Sequence, residues 1–324
     1  MTDFNPNRII FLTAELSPKP LQARELWLLE QALAQAVLSP QAEVLCLTLG
    51  DSGSAITLPI FEMMYHHVAQ GEVRSQPWVL SLCMLCNTGN VFSPVVNGKT
   101  LHFAARAIHD GMMMLVDDET ESCWNHITGE CQHGPQRGQQ LTLLSDARQM
   151  NAAQALEQYP QALLIKADLS PKRHAVATEH AAFRQNPASH PHYLEMALTT
   201  MGEVDPRLPR LEIGLGVWTE KTQRFYSFSR LSAQDNVIVD ELDGQPLVIY
   251  IDPETSVPCA VYLKAQAGHW EDDTLRLQGG YEIQRGVVYN PQRVRMTVKH
   301  PLQLFMRWFG FAFTFPGCQV YGAG

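Results

Sequence analysis

The chain resembles itself, and that constrains its fold more than any single motif. Residues 43–82 align without a gap against residues 212–251. Glu43-Val44 falls on Glu212-Ile213, and Gln76-Pro77 with the apolar run Trp78-Val-Leu-Ser-Leu82 falls on Gln245-Pro246 with Leu247-Val-Ile-Tyr-Ile251. A second correspondence follows in the same order: Tyr159-Pro-Gln-Ala-Leu-Leu-Ile165 against Phe315-Pro-Gly-Cys-Gln-Val-Tyr321, each preceded by a helix-like segment, 152–158 and 302–313. Two similarities in one order predict a duplicated unit, and their different offsets predict a shorter second copy. A chain of 324 residues is long enough for two such units. Its 45% hydrophobic and 18% charged residues suit packed cores rather than disorder.

The texture within each unit is strand-rich. An opening strand over 8–12 leads to a helix predicted over 21–38, with Pro18 and Pro20 before it, Ser39-Pro40 after it, and Leu26, Leu29, Leu33 and Val37 as its apolar stripe. Short β-type runs then recur at 43–49, 78–82, 91–96, 101–105 and 112–116, separated by Gly, Asp, Asn and Ser clusters, with a short helix over 59–68. Asn97-Gly98 between two such runs is a two-residue hairpin signal, because both turn positions require positive φ. The expected fold is α+β and strand-rich, with two related lobes and an N-terminal helix. Residues 1–42 supply a strand and helix packed on the first lobe, 43–167 form that lobe, 168–208 connect, and 209–324 form the second. The connecting segment, rich in His, Pro, Asn and Ala, reads as an irregular linker with a short helix at 193–201.

The charge balance excludes whole classes of partner. A net charge of −9 without any run of Lys or Arg disfavours nucleic acid and anionic membrane surfaces. The apolar stretch 302–315 carries Arg307 in its middle and is too short to span a bilayer, and the first residues lack the basic-then-apolar order of a secretory signal. The expected location is therefore cytoplasmic, with the seven cysteines reduced. No Gly-rich phosphate loop, Gly-x-Ser-x-Gly elbow or His-Glu-x-x-His segment occurs.

Cys83-Met-Leu-Cys86 is the sharpest local feature, placed where the apolar run 78–82 opens into a turn. Two cysteines at this spacing close a redox disulfide or grip one soft metal through two thiolates. Cys123 and Cys131 are spaced poorly for a second pair and read as apolar fillers. His66-His67, at the end of the short helix, offer an imidazole as metal ligand or thiolate partner, or merely satisfy carbonyls. Met112-Met-Met114 supplies thioether sulfur or core filling, and His102 and His109 add to the local ligand count. Asp117, Asp118, Glu119 and Glu121 form an acidic turn in which Asp117, ending a strand, is the candidate acid–base group.

Two stretches carry a family resemblance. The run Trp78-Val-Leu-Ser-Leu-Cys-Met-Leu-Cys-Asn-Thr-Gly89, followed by Thr120-Glu-Ser-Cys-Trp124 and Thr128-Gly-Glu130 with Gly134-Pro135, resembles domain-of-unknown-function family 3179. The closing segment from Arg307 to Tyr321, with its Phe-Pro turn, is similar to the family's end, and Tyr65-His66-His67-Val68 is similar to an upstream family segment. The resemblance brings no activity. It implies that His66, Cys83, Cys86, Asp117 and Trp124 stand at family positions, whereas Met84, Leu115 and Asp118 depart from the pattern.

Three readings of function follow. In the first, Cys83, Cys86 and His66 bind copper or zinc in a redox or carrier role. In the second, Cys83 is the nucleophile or redox centre of a thiol enzyme, activated by His66, and Asp117 is a separate candidate catalytic residue. In the third, the chain is a non-catalytic binding module; across the readings the expected partner is a small molecule or a metal ion. Asp252 stands where the second unit would repeat Cys83, so chemistry is expected in the first lobe.

Overall fold

Strand, strand, helix, strand, strand is the order that follows the N-terminal segment: Glu43–Thr48, Ala55–Pro59, Ile60–His66, Val68–Val73 and Gln76–Ser81. The computed structural model describes residues 4–13, 16–23, 25–49 and 55–322. The same order recurs later as Ile213–Trp218, Gln223–Ser227, Phe228–Ser232, Val237–Leu242 and Gln245–Ile251. The molecule is strand-rich α+β.

Local chemistry accounts for these elements. Ala55–Pro59 is buried throughout, which suits a strand covered on both faces, and Pro59 then caps the helix that follows. That helix stops at His67, whose φ of 57° turns the chain back into Val68–Val73. Val68–Val73 and Gln76–Ser81 pair antiparallel through Arg74-Ser75, both at positive φ, and Val237–Leu242 and Gln245–Ile251 through Asp243-Gly244, likewise at positive φ. The Asn97-Gly98 turn forms as expected, with φ of 51° and 76° joining Val95–Val96 to Lys99–Thr100.

Two sheets are built alike. One runs Arg148–Asn151, Glu43–Thr48, Ala55–Pro59, Leu163–Leu164, ending on Trp27–Leu28. The other runs Leu302–Arg307, Ile213–Trp218, Gln223–Ser227, Gln319–Val320. In each, the last strand after a short helix (Ala152–Gln158 or Trp308–Thr314) returns parallel to its neighbour. Residues 302–307 are therefore strand and not helix, because they pair with Ile213–Trp218 along their whole length. The largest core cluster draws on both halves. Val79, Cys83, Cys86, Phe103 and Trp124 pack in one apolar mass with Phe225, Met306, Trp308, Phe309 and Phe311.

Two expected elements differ. The helix expected over 21–38 is reduced to Leu29–Ala34. Leu21–Gln22 instead pairs with Ala69–Gln70, and Trp27–Leu28 with Leu163–Leu164, so sheet pairing overrides helix periodicity. The segment 168–208 is more regular than expected: a further helix, Pro171–Gln185, and a 3-10 turn, Pro187–Ser189, precede Pro191–Thr200, which is the short helix expected at 193–201. Each begins on a proline in its first turn, where the missing N–H has no helical partner to lose. The first of these helices packs on Ile60–His66, with His180 Nδ1 hydrogen-bonded to the Met64 carbonyl at 2.7 Å. No helix among the described residues is long and apolar enough to cross a membrane.

Glu62, 6% exposed, lies on the short helix Ile60–His66, and one carboxyl oxygen accepts the Ala167 N–H at 2.5 Å. Burial pushes its pKa up from 4.5 to about 7. The folded state thus holds a proton that the unfolded chain releases, and stability falls as pH rises from about 4.5 to about 7. Glu62→Gln, which keeps an acceptor for Ala167, is expected to exceed the wild type in stability at pH 8 by up to about 3 kcal/mol and to match it at pH 4. Urea unfolding at the two pH values measures this.

Candidate functional site

The site begins where the buried strand Gln76–Ser81 ends. The Leu82 N–H donates to the His67 carbonyl at 2.7 Å, and the Cys83 N–H to the Thr88 carbonyl at 2.9 Å, closing a turn over 83–88. Inside that turn the Cys86 N–H donates to Cys83 Sγ at 3.2 Å, and Asn87 takes a φ of 65°. Gly89 then passes so close to the strand that a Cβ there would lie 1.7 Å from the Ser81 carbonyl oxygen. The two sulfurs are joined as a disulfide.

The third member of the site is His126. Asn125, at the end of the strand Cys123–Asn125, accepts the N–H groups of Ile127 and Thr128 on its side-chain oxygen at 2.8 and 3.0 Å. That turn holds His126 inward, and Ser81 Oγ donates to its carbonyl at 3.3 Å. Its Nε2 lies 3.6 Å from Cys86 Sγ, and the two sulfurs and a ring nitrogen all fall within 4.8 Å of one another. The ring is fully buried, its Nδ1 has no hydrogen-bond partner, and burial lowers its pKa to about 3. The imidazole is therefore neutral, and one of its two ring nitrogens carries an unshared pair.

The far half of the chain holds this turn from behind. The Arg307 backbone N–H donates to the Cys86 carbonyl at 3.0 Å, while its guanidinium donates to the carbonyls of Leu85 and Arg184, each at 2.6 Å. Asn87 is gripped on both sides, donating to the Phe305 carbonyl at 3.1 Å and accepting from Gln149 at 2.6 Å. Gln149 is in turn held by Arg184 at 2.7 Å. Burial, helped by the adjacent Arg184, lowers Arg307 to about 10, which still leaves it charged at neutral pH.

The residues expected from sequence separate in the folded chain. Cys83 and Cys86 come together. His66 does not join them: its Nδ1 is bonded to the Lys19 carbonyl at 2.7 Å and its ring stands edge-on to Tyr65. The left-handed turn at His67 sends the two neighbouring imidazoles different ways, and His67 lines a cavity with Cys83. Asp117 is fully buried with both oxygens engaged, by Trp124 Nε1 at 2.8 Å and by the Thr120 N–H and hydroxyl at 2.6 and 2.8 Å. It fastens its own turn and the Trp124 ring. Asp118 pairs with Arg106, and Glu119 with His102 at 2.7 Å, on the exposed side of that turn. His109 lies against Asp110 at 3.4 Å and stacks on Phe4. Met112, Met113 and Met114 are buried core side chains, and Cys123 and Cys131 are buried free thiols that burial pushes up to about 11 and 12. His126 was missed because its signal is weak: a lone histidine in the turn sequence Asn125-His-Ile-Thr-Gly129, far along the chain from the cysteines.

The family model for proteins of unknown function, DUF3179, matches residues 29–318, nearly the whole chain. The chain belongs to the DUF3179 family. No curated protein and no solved structure matches it. Membership covers both halves, so in this DUF3179 protein the cysteine turn and the Arg307 strand that holds it lie within one matched region.

Arg307→Met keeps much of the side chain's bulk but leaves the Leu85 and Arg184 carbonyls without their charged donor. It is expected to lower stability by about 1.5–3 kcal/mol, the range for hydrogen bonds to a charged group. Urea unfolding measures the loss. The reduced Cys83 thiol is expected to alkylate faster in the variant, because its turn loses an anchor.

Proposed function

We propose that the reduced protein binds one soft metal ion, copper(I) or zinc, through Cys83, Cys86 and His126, as a carrier or redox centre. The observation that carries this reading is the convergence of two sulfurs and a neutral imidazole within 4.8 Å in a buried site. Thiolate and imidazole donors are the set that selects such ions, and the disulfide is the oxidised counterpart of the dithiolate. His126 takes the place expected for His66, and Asp117 has no part in the site.

The test is a titration of anaerobically reduced protein with copper(I) and with zinc against a competing chelator. One ion per chain is expected, with affinity falling about a hundredfold or more in Cys83→Ser and in His126→Ala, while His66→Ala stays near wild type. A protein that takes up neither ion, or that keeps full affinity in His126→Ala, would refute the proposal.

A second reading is favoured by the unequal access of the two sulfurs. Cys83 lines a cavity, whereas Cys86 is sealed at 0% exposure. In a thiol–disulfide couple, Cys83 would be the sulfur attacked by a donor thiolate. Two donor thiols would supply two electrons and two protons, ending as the donor disulfide with both cysteines reduced. Treating Cys86→Ser with oxidised glutathione, so that Cys83 becomes the mixed disulfide and one glutathione thiol is released, supports this. Trapping at Cys86 in Cys83→Ser alone would count against it.

We also infer that residues 43–167 and 209–324 descend from one duplicated unit, joined by 168–208. In support, the Ile251 N–H donates to the Asn236 carbonyl at 3.0 Å as that of Leu82 does to His67, and Asp252 donates to Val257 at 3.0 Å as Cys83 does to Thr88. Asn236 and His67 both take left-handed φ, at 62° and 57°. Aligning the two halves across family members should return this same register, and a different register would argue for chance.

A further inference from the structure

Cys83 forms part of the wall of a cavity of about 540 Å³, within the size range of small-molecule sites. Met84, Leu85 and Met113 line it on the side of the cysteine turn, and Val176, Phe183 and Met196, from the two helices of the connecting segment, line it opposite. Among the described lining residues the charged groups are of one sign. Lys19, Lys172 and Arg173 line the cavity, and among the described lining residues there is no Asp or Glu. In a chain of net charge −9 that is not an average sample of the surface. Arg173 lies over the Tyr65 ring at 5.4 Å, but among the described residues none of the three cations is in an ion pair.

Two further observations point to a ligand. Ser170, at the N-cap of the 15-residue helix Pro171–Gln185, lines the cavity without making a side-chain cap, so the first-turn N–H groups add their partial positive charge to Lys172 and Arg173. Independently, His67 lines the cavity at 8% exposure with Nδ1 lacking any hydrogen-bond partner. The ring stacks on His180 at 5.2 Å, and a buried polar atom left unpaired in this way is uncommon.

We propose that this cavity binds an organic carboxylate with an apolar body. The carboxylate meets Lys172, Arg173 and the helix end. The body lies along Met113, Phe183 and Met196, which brings it over Cys83. The inference rests on the cavity lining and does not require the metal reading.

Octanoate serves as the probe, with octylammonium as a chain of similar length and opposite charge, both measured by isothermal titration calorimetry on the full chain. Octanoate is expected to bind at least about tenfold more tightly than octylammonium. The variant Lys172→Ala with Arg173→Ala, at two exposed positions that should not disturb folding, is expected to weaken octanoate about tenfold. In the reduced protein, saturating octanoate should slow iodoacetamide alkylation of Cys83. Equal affinity for the two probes, an unchanged double variant, no octanoate binding, or binding that leaves Cys83 alkylation unaltered would each overturn the proposal. A failed metal titration alongside octanoate protection of Cys83 would remove the metal and leave the carboxylate site.

Discussion

The contact between Arg307 and the cysteine turn ties the molecule together. A turn inserted at the end of a buried strand exposes carbonyls that no ladder partner reaches, and an unpaired buried carbonyl is costly. Arg307 satisfies Leu85 and Cys86 from the strand Leu302–Arg307, and the same guanidinium reaches Arg184 on the helix of the connecting segment. First half, second half and connection therefore meet at one buried cation. The position of the sulfur pair is thereby a property of the whole chain.

The inner side of that pair is enclosed. Cys86 and His126 are fully buried. What differs across the site is access, because Cys83 faces a cavity roofed by the connecting helices while Cys86 faces the shared core. An inner sulfur that stays protected and an outer one that meets ligands are as compatible with delivering an ion as with exchanging electrons. The cationic lining of the cavity bears on what arrives and leaves either kind of centre intact.

Much of the architecture was legible because it is local. Asn97-Gly98 announced its hairpin through its φ requirements, and Ile60–His66 and Ala152–Gln158 lie where apolar spacing and turn residues placed them. Periodicity misled where distant pairing won: Leu21–Gln22 and Trp27–Leu28 became strands within an apparent helix, and residues 302–307 joined a sheet. Proline misled in the opposite direction. In the connecting segment it starts the helix at Pro171, which the composition read as irregular linker, whereas the short helix starting at Pro191 lies where it was expected.

By itself the sequence determined that a sulfur pair would stand at the mouth of a buried strand, since the apolar run 78–82 and the Cys-x-x-Cys spacing are contiguous. It also determined a strand-rich α+β chain. Which imidazole meets those sulfurs was decided by tertiary structure alone. His66 is nearer along the chain, yet the left-handed turn at His67 and the Lys19 carbonyl draw its ring away. The Asn125 turn meanwhile brings His126 in from a separate strand. Proximity in sequence fixes only what a few backbone angles can reach, and a three-ligand pocket needs side chains that the sheets assemble from far apart.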